Sequence, residues 1–361
     1  LQGALAQLNM RTDAPELYCD LVAANLQVTA LVDAVELPPS DPIERSWTRP
    51  DADANPLGAW YVRTDIRGAE TGKLAGRSIA VKDTVLLAGV PLMGGSSILE
   101  GYVPQEDAEI VSRLLAAGAT ITGKSVCEAY CFSGGSHTSD TGPVRNPHNP
   151  AHTSGGSSSG SGALVAAGEV DMAIGCDQGG SIRMPSSYCG LVGMKPTFGL
   201  VPYTGILGMN PNVDHAGPMT RNVADNALLL EVLAGPDGLD SRQSSVKIGD
   251  YTAALNMSAA GLRIGLVTEG FGQEGSDPRV DDKVYAACKR LQTLGACVSV
   301  LSIPLHTLGA GVTFAGFQSM MISMFHMDGC LLERPDVTPE AYLKIQAGWR
   351  ERTEELPHNV R

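Results

Sequence analysis

This chain of 361 residues has few aromatic and few basic side chains. It contains 6 Phe, 9 Tyr and 3 Trp, and its 26 Lys and Arg residues are outnumbered by 39 Asp and Glu residues. The resulting net charge of −13 disfavours nucleic acids and anionic membranes as partners. The sequence also lacks any run of about 18 apolar residues, the length that spans a bilayer. We therefore predict no nucleic-acid partner, no membrane partner and a cytoplasmic location.

The sequence likewise lacks a pattern of metal-binding residues. Its 8 cysteines include no C-x-x-C pair, and its 7 histidines are scattered. His148 and His152 have helical spacing, but Pro147 and Pro150 exclude the helix that would place them on one face. We predict no metal and no cofactor, and we expect buried, reduced thiols. The cysteines that mostly lie in apolar segments are Cys127, Cys131, Cys176, Cys189, Cys288, Cys297 and Cys330.

What the chain has instead is two glycine–serine segments, at residues 153–162 and 177–183. Glycine permits positive φ and leaves backbone N–H groups free to face a developing negative charge, as an oxyanion hole requires. By composition alone such a run is most often a flexible linker. Here the first segment leads into an apolar helix at 163–168 and a short strand at 172–175. This order is typical of an active-site loop in an α/β protein.

A third candidate element is Lys82, which ends a short β-type run at residues 78–82. Taken alone, such a lysine is most often a surface residue. An aliphatic setting can instead desolvate the ammonium, lower the lysine pKa and favour the neutral amine, which can act as a base. Two serines and one lysine therefore form the candidate catalytic set.

Two other motifs compete with this interpretation. Residues 118–125 match the P-loop pattern, but the segment before Gly118 is typical of an amphipathic helix, whereas a P-loop needs a strand there. Residues 156–160 match the G-x-S-x-G nucleophile elbow, which requires a strand running directly into it. The segment at 146–152, with its two prolines, is not expected to form that strand. We therefore disfavour nucleotide binding and the elbow.

Residues 155–196 resemble the signature of the amidase signature family, whose hydrolases use a Ser–cis-Ser–Lys triad. The resemblance rests on Gly-Gly-Ser-Ile-Arg at 179–183, Cys-Gly-Leu-Val-Gly at 189–193 and Lys-Pro-Thr at 195–197. The intervals of 24 residues (181 − 157) and 75 residues (157 − 82) also match the family. The likeness is close over about residues 70–240 and looser on either side.

The resemblance implies a role for each candidate residue. Ser181 corresponds to the nucleophile, Ser157 to the bridging serine that follows a cis peptide bond, and Lys82 to the terminal base, buried and largely neutral. The oxyanion hole is assigned to the backbone N–H groups of Gln178, Gly179, Gly180 and Ser181. Substrate contacts are assigned to Gly134, Gly135, Ser136 and Gln178. Asp177 and Arg183 flank the nucleophile loop, and we interpret them as charges that hold it.

The predicted reaction is hydrolysis of small aliphatic or aromatic carboxamides through an acyl-enzyme on Ser181, with hydrazides or carbamates as further substrates. Gln178, where many members of the family have threonine, resembles the branch that acts on such amides. Two alternatives stay open, the A-subunit of a glutamine-dependent amidotransferase complex and a catalytically inactive binding module. A Met- and Phe-rich helix at 313–327 belongs either to the core or to the acyl pocket. The expected partner is a small-molecule amide, and a homodimer is left open.

The order of the patterns predicts an α/β fold with a mixed, mostly parallel twisted sheet that helices cover on both faces. We expect residues 1–75 to form an N-terminal region, helical to residue 35 and irregular from 36. Residues 76–361 are expected to form the amidase signature core without its C-terminal part, since family members continue further. The predicted strands are 78–82, 120–123, 172–176, 191–194, 262–267 and 297–301. The predicted helices are 107–117, 161–167, 223–233, 279–294, 313–327 and 339–355.

Overall fold

The computed structural model describes residues 15–34 and 43–309. The chain divides into two compact units, Leu1–Pro42 and Ile43–Arg361. In the first unit, helix α1 covers Pro15–Asp33 and carries Glu16 in its first turn, where a negative charge favours the helix dipole. The predicted N-terminal helix is therefore confirmed over this range.

The second unit contains all the strands that the structure describes. In chain order they are β1 (Trp47–Thr48), β2 (Trp60–Arg67), β3 (Ser78–Lys82), β4 (Thr120–Ser125), β5 (Arg145–Asn146), β6 (Asn149–Thr153), β7 (Met172–Asp177), β8 (Val192–Gly193), β9 (His215–Thr220), β10 (Arg263–Val267) and β11 (Cys297–Leu301). Its α-helices are α2 (Glu109–Ala116), α3 (Ser159–Ala167), α4 (Arg183–Tyr188), α5 (Val223–Leu233), α6 (Tyr251–Ala254) and α7 (Pro278–Thr293). Short 3-10 turns cover Ser97–Leu99, Ala129–Cys131, Thr268–Gly270 and Pro304–Leu308.

A seven-stranded sheet forms the centre of this unit, in the order β1-β2-β4-β3-β7-β9-β8. The three middle strands run parallel, with Ile79 of β3 paired to Ile121 of β4 and to Met172 of β7. The outer pairings, β1 with β2, β2 with β4, β7 with β9 and β8 with β9, are antiparallel. The expected mixed sheet with a parallel centre is thus confirmed.

The middle strands are buried on both faces. Ile79, Ala80 and Val81 are consecutive in β3 and fully buried, although consecutive side chains of a strand point to opposite faces. All six residues of β7 are buried as well. Helix α3 packs against this centre, and Gly160 allows the close approach because a Cβ there would lie 2.4 Å from the Ala59 carbonyl oxygen. A strand end in this centre is therefore a desolvated place for a polar side chain.

The expectation of an irregular crossing at 36–75 is wrong for β1 and β2. Strand β2 begins with the buried residues Trp60, Tyr61 and Val62, and from Arg63 to Arg67 exposed and half-buried residues alternate. The residues before β2 are rich in Pro and Asp, and this composition led to the prediction of an irregular segment. Strand β9 and helix α4 were also not predicted.

The structure explains both competing motifs. Lys124 of the P-loop-like sequence is fully buried in β4, where its Nζ lies 2.9 Å from Asp83 Oδ1, so it has no access to a phosphate. The segment before the G-x-S-x-G sequence does form a strand, β6, which corrects our expectation. It pairs antiparallel with β5 in a separate hairpin and is not a strand of the central sheet. Neither motif has the context that its function requires.

A second, smaller parallel sheet pairs β10 with β11 and carries α7 between them, as the sequence predicted. Most of its side chains are exposed. The predicted helices at 313–327 and 339–355 lie outside the described residues. Among the helices that the structure describes, none is long and apolar enough to cross a membrane.

Candidate active site

Lys82 is the last residue of β3 and is fully buried. Its Nζ donates a hydrogen bond of 2.8 Å to Ser157 Oγ. The burial follows from its place in the sheet, because β3 lies between β4 and β7. The structure therefore brings together two of the three residues of the candidate set, 75 positions apart in the chain.

Ser157 lies in the first glycine–serine segment, just before α3. The peptide bond between Gly156 and Ser157 is cis, as the resemblance implied. The chain packs tightly at this point, since a Cβ on Gly156 would lie 2.1 Å from the carbonyl oxygen of Gly135. The Ser157 carbonyl accepts a hydrogen bond of 3.1 Å from the Glu128 N–H. Ser157 is therefore held through its backbone while its hydroxyl faces Lys82.

Ser181 lies in the loop between β7 and α4, and the residue is 5% exposed. Its carbonyl accepts a hydrogen bond of 3.3 Å from the N–H of Ser158, which brings this loop against the segment that carries Ser157. Within residues 43–309, the Ser181 hydroxyl has no recorded hydrogen bond to Ser157 or to any other side chain. The Ser181 loop therefore contacts the segment that carries Ser157, and the Ser181 hydroxyl is uncommitted.

Asp177 holds the Ser181 loop, as predicted. Its carboxylate accepts hydrogen bonds from the N–H groups of Gly180 (2.8 Å) and Ile182 (3.1 Å) and from two nitrogens of Arg183 (2.9 and 3.0 Å). Burial alone would raise the pKa of Asp177, but the hydrogen bonds and charge of Arg183 outweigh it and lower the pKa. The Asp177 carboxylate therefore holds the loop around Ser181 through these hydrogen bonds.

The Gly180 N–H is committed to Asp177, so it is not free to bind an oxyanion, which corrects one of the four expected donors. In the described part of the chain, the N–H groups of Gln178, Gly179 and Ser181 have no recorded acceptor. Gly179 is exposed, whereas Gln178, Gly180 and Ser181 are buried. Three of the four expected donors are thus left for a ligand oxygen.

Gln178 is 8% exposed, and its side-chain NH2 is committed within the protein. Nε2 donates to Tyr203 Oη at 3.1 Å and to Asp214 Oδ1 at 2.8 Å. The other end of the amide, Oε1, is buried and has no hydrogen-bond partner. The donor end of the Gln178 amide is therefore engaged within the protein, and its buried oxygen is left without a partner. Its partners Tyr203 and Asp214 carry no local motif, and sequence reasoning missed them.

The three other predicted substrate contacts lie beside the two loops. Gly134 faces Met184 of α4, whose Cε a Cβ on that glycine would meet at 3.0 Å. Ser136 is buried, and its hydroxyl donates to the Val144 carbonyl at 2.6 Å and accepts from Thr153 Oγ1 at 3.0 Å. The Ser136 hydroxyl is therefore engaged within the protein. Met184, which sequence reasoning also missed, supplies apolar surface next to the Ser181 loop.

Three buried thiols surround Lys82, those of Cys127, Cys131 and Cys176. Burial lowers the pKa of Lys82, but attraction to these sulfur atoms when they are ionised raises it, and the net pKa is raised. The expectation of a lowered pKa was therefore wrong, because it considered burial and left out the thiols. The expectation of buried thiols holds for these residues, whereas Cys297 is exposed.

The described residues contain no group of three or more His, Cys, Asp or Glu side chains that could hold a metal ion. His148 Nε2 instead lies 2.9 Å from the Cys189 carbonyl oxygen, so it contacts the loop after α4. The chemistry that this arrangement offers is that of a hydroxyl, a bridging hydroxyl and an amine.

Comparisons with known proteins show which family this sequence matches. The family model described as Amidase matches residues 57–346. An enantioselective amidase from Rhodococcus rhodochrous is 54% identical over 270 residues, which are 74% of this chain and 52% of that protein. The A-subunit of a glutamyl-tRNA(Gln) amidotransferase from Synechococcus sp. (strain WH7803) is 44% identical over 237 residues, 66% of this chain and 49% of that protein.

Among solved structures, the A-subunit of the glutamyl-tRNA(Gln) amidotransferase from Thermotoga maritima matches with a TM-score of 0.70 and 30% identity. The match covers 77% of this chain and 66% of that one. The chain spans about half the length of the curated relatives it matches, 52% and 49%. Since the family model covers most of the sequence, the chain belongs to the amidase family, the amidase signature family that its motifs resemble.

Proposed function

We propose that this protein hydrolyses small aliphatic or aromatic carboxamides through an acyl-enzyme on Ser181. The observation that carries the proposal is the 2.8 Å hydrogen bond from Lys82 Nζ to Ser157 Oγ, in a segment that the Ser158 N–H joins to the Ser181 carbonyl at 3.3 Å. A serine hydroxyl needs a neighbouring base to become a nucleophile, and a buried amine relayed through a second hydroxyl supplies one.

In the proposed reaction, Ser181 Oγ attacks the amide carbonyl carbon and passes its proton to Ser157 Oγ, which passes its own proton to Lys82. The N–H groups of Gly179 and Ser181 would stabilise the oxyanion, a contribution of about 3 kcal/mol per donor in other enzymes. The proton then moves to the leaving nitrogen, and ammonia or an amine departs. Water attacks the acyl-enzyme by the same route and releases the carboxylate.

The proposed substrate class rests on the site and on the amidase relative. The buried Gln178 Oε1 could accept a hydrogen bond from the substrate N–H, and Met184 offers an apolar wall. Gly134, Gly135 and Ser136 would lie along the same side. Hydrazides and carbamates share the reacting carbonyl and leaving nitrogen, so they belong to the same proposal. The binding partner is then a small-molecule amide; a homodimer stays open, and the cytoplasmic location stays a prediction.

A second candidate function is the A-subunit of a glutamine-dependent amidotransferase, which the 44% identity to a protein of that kind favours. That function needs partner proteins, whereas an amidase acts alone. A binding module without catalysis is disfavoured because Lys82, Ser157 and Ser181 are all present.

The test is ammonia release from acetamide and benzamide by the purified full chain alone, with an aryl hydrazide, a carbamate and a long-chain amide as further substrates. We expect turnover of the small amides and its loss in Ser181→Ala, with Ser187→Ala, an exposed serine of α4, as the matched control. Wild-type turnover in Ser181→Ala would refute the acyl-enzyme. Activity only on glutamine with partner proteins would favour the amidotransferase, and a tenfold preference for the long-chain amide would overturn the substrate class.

A further inference from the structure

The side-chain amide of Gln178 is paired within the protein at only one of its two ends. Gln178 directly follows β7 and Lys82 ends β3, and these strands are parallel neighbours, so both residues lie at the same edge of the sheet. Gln178 Nε2 donates to Tyr203 Oη at 3.1 Å and to Asp214 Oδ1 at 2.8 Å. Gln178 Oε1 is buried and has no hydrogen-bond partner among the described residues. Because a buried polar atom without a partner is costly, a ligand group is the expected partner.

The orientation of the Gln178 amide is set by Asp214, which is 2% exposed. Asp214 Oδ2 accepts from the N–H groups of Met209 at 3.1 Å and Asn210 at 3.0 Å, while Oδ1 accepts from Gln178. Each of these contacts comes from a nitrogen donor, as an ionised carboxylate requires. Since such a carboxylate has no hydrogen to donate, only the NH2 end of an amide can pair with it. Asp214 therefore holds the amide nitrogen on its own side and leaves the amide oxygen on the other side.

Arg242 holds both partners of Gln178 in place. Its guanidinium pairs with the two carboxylate oxygens of Asp240 at 2.6 and 2.8 Å and donates to the Asp214 carbonyl at 2.8 Å. The same guanidinium stacks over the Tyr203 ring, with Cζ 4.9 Å from the ring centroid. Asp240 in turn accepts from the Tyr203 N–H at 2.9 Å. These contacts fix Tyr203 and Asp214 relative to one another, which a single orientation of the amide needs.

We propose that Asp214 is a positioning residue, which orients the Gln178 amide so that Oε1 accepts an N–H of the substrate's leaving nitrogen and thereby selects amides over esters. This inference rests on the proposed function. The leaving nitrogen of a primary amide carries N–H donors, whereas the leaving oxygen of an ester is only an acceptor. An ester therefore leaves Gln178 Oε1 without a partner and places a second acceptor opposite it, which lowers its affinity.

The variant Asp214→Asn tests the proposal because it should reverse the Gln178 amide. The N–H groups of Met209 and Asn210 still need an acceptor, so the oxygen of the new side chain should stay with them. Its NH2 group then faces Gln178, which can pair with that donor only through Oε1. The NH2 end of Gln178 turns toward the ligand, where it opposes the N–H of an amide and suits the oxygen of an ester.

The measurement is kcat/KM at pH 8 for benzamide and for methyl benzoate, which share the acyl group and differ in the leaving group. The amide-to-ester ratio of kcat/KM should fall by at least about tenfold in Asp214→Asn, through loss of benzamide turnover. Asp237→Asn is the matched control, because Asp237 also accepts from turn N–H groups, those of Leu239 and Asp240 at 2.8 Å, without a recorded contact to Gln178. Its ratio should equal that of wild type. An unchanged ratio in Asp214→Asn would overturn the proposal, since a purely structural role predicts the same loss for both substrates.

A double-variant comparison shows whether Asp214 acts through Gln178. Gln178→Met keeps the length of the side chain and removes both polar ends of the amide, so the amide-to-ester ratio should fall in this variant as well. Adding Asp214→Asn to Gln178→Met should then change the ratio by less than about twofold, because no amide is left to reverse. A further tenfold fall in the double variant would contradict a role through Gln178.

A binding experiment separates this inference from the proposed reaction. Ser181→Ala removes the nucleophile, so benzamide can be titrated into the full chain by calorimetry without turnover. In this background Asp214→Asn should raise the Kd of benzamide by at least about tenfold, and Asp237→Asn should leave it unchanged. An equal Kd with and without Asp214→Asn, or no binding of benzamide at all, would overturn the inference. If wild type hydrolysed no amide but the difference in Kd were found, the proposed function would fail and the role of Asp214 in binding would stand.

Discussion

The central sheet and the β10–α7–β11 unit are built from the same kinds of element, yet they differ in burial. Val81 of β3 and Val62 of β2 are fully buried, whereas Val300 of β11 is 68% exposed. No residue of α7 is buried, although its sequence is clearly amphipathic. Parallel pairing is therefore not enough to make a core. The interior position of β3 and β7 in the seven-stranded sheet and the packing of helix α3 against them make the difference.

This difference in burial determines where a lysine side chain can act as a base. Lys82 ends a strand of the buried sheet, and its contacts are a hydroxyl and thiols. Lys289 lies in α7, where it is exposed to solvent. Water would keep an exposed lysine protonated, so only the buried strand end can control the charge of the amine. The predictions below test this contrast with matched changes in the two regions.

The largest effect is expected for Lys82→Arg. A guanidinium stays protonated and cannot accept the Ser157 proton, so kcat/KM for benzamide should fall by at least about 10³-fold. Lys289→Arg should leave kcat/KM unchanged. Both values come from ammonia release at pH 8. An Arg variant at position 82 with near-normal kcat would remove lysine as the base.

The next effect is on stability and concerns the buried pair of Lys124 and Asp83. Lys124→Met leaves the Asp83 carboxylate buried with only the N–H groups of Met93 and Gly94, and should cost about 3–5 kcal/mol of the free energy of unfolding. Urea denaturation measures it. The exposed ion pair of Arg279 with Asp277 at the start of α7 is the comparison, and Arg279→Met should not move the denaturation midpoint. Equal shifts in the two variants would contradict the assigned burial.

A smaller effect is expected for Val62→Thr. The substitution keeps the shape of the side chain but places a hydroxyl among apolar neighbours in β2, where Val62 is 0% exposed. An unpaired buried hydroxyl costs about 1–3 kcal/mol. The urea midpoint should fall accordingly, with an unchanged m-value. A midpoint equal to that of wild type would show that water reaches this strand.

The smallest effect is expected for the same change in β11, Val300→Thr. Both side chains are β-branched and the site is exposed, so the free energy of unfolding should change by less than about 0.5 kcal/mol. Urea denaturation of Val300→Thr and Val62→Thr under the same conditions gives the loss of unfolding free energy in each variant, and the two losses can be compared directly. A loss of more than about 1 kcal/mol would break the comparison, since it would mean that β11 is covered in solution.

Much of the fold could be predicted because local patterns matched tertiary burial. The apolar run of β3, the apolar helix that ends at Gly168 and the amphipathic α7 between two β-type runs are all local signals, and the structure has each of these elements. Strand β2 could have been found from its alternation but was obscured by the irregular composition before it. Strand β9, with a glycine and a proline among its six residues, is formed by pairing with β7 and has little local signal.

The residues of the candidate site likewise fall into two groups, those with a local sequence signal and those defined by contacts between distant segments. Glycine–serine loops and a strand-end lysine are local features, so Lys82, Ser157 and Ser181 could be proposed from the sequence together with the family resemblance. Contacts between distant segments could not. The thiols of Cys127 and Cys131 come from the turn after β4 and reverse the expected direction of the Lys82 pKa. Likewise, only the structure shows that Asp177 occupies the Gly180 N–H.

The central claim is that Ser181 is acylated with the help of Lys82 and Ser157. The most direct measurement is the intact mass of the protein after incubation with a fluorophosphonate, followed by peptide mapping of the adduct. The account predicts one adduct per chain, located on Ser181, absent in Ser181→Ala and formed at least about 10²-fold more slowly in Lys82→Arg. An adduct that forms equally fast in Ser181→Ala, or that maps to another residue, would contradict it.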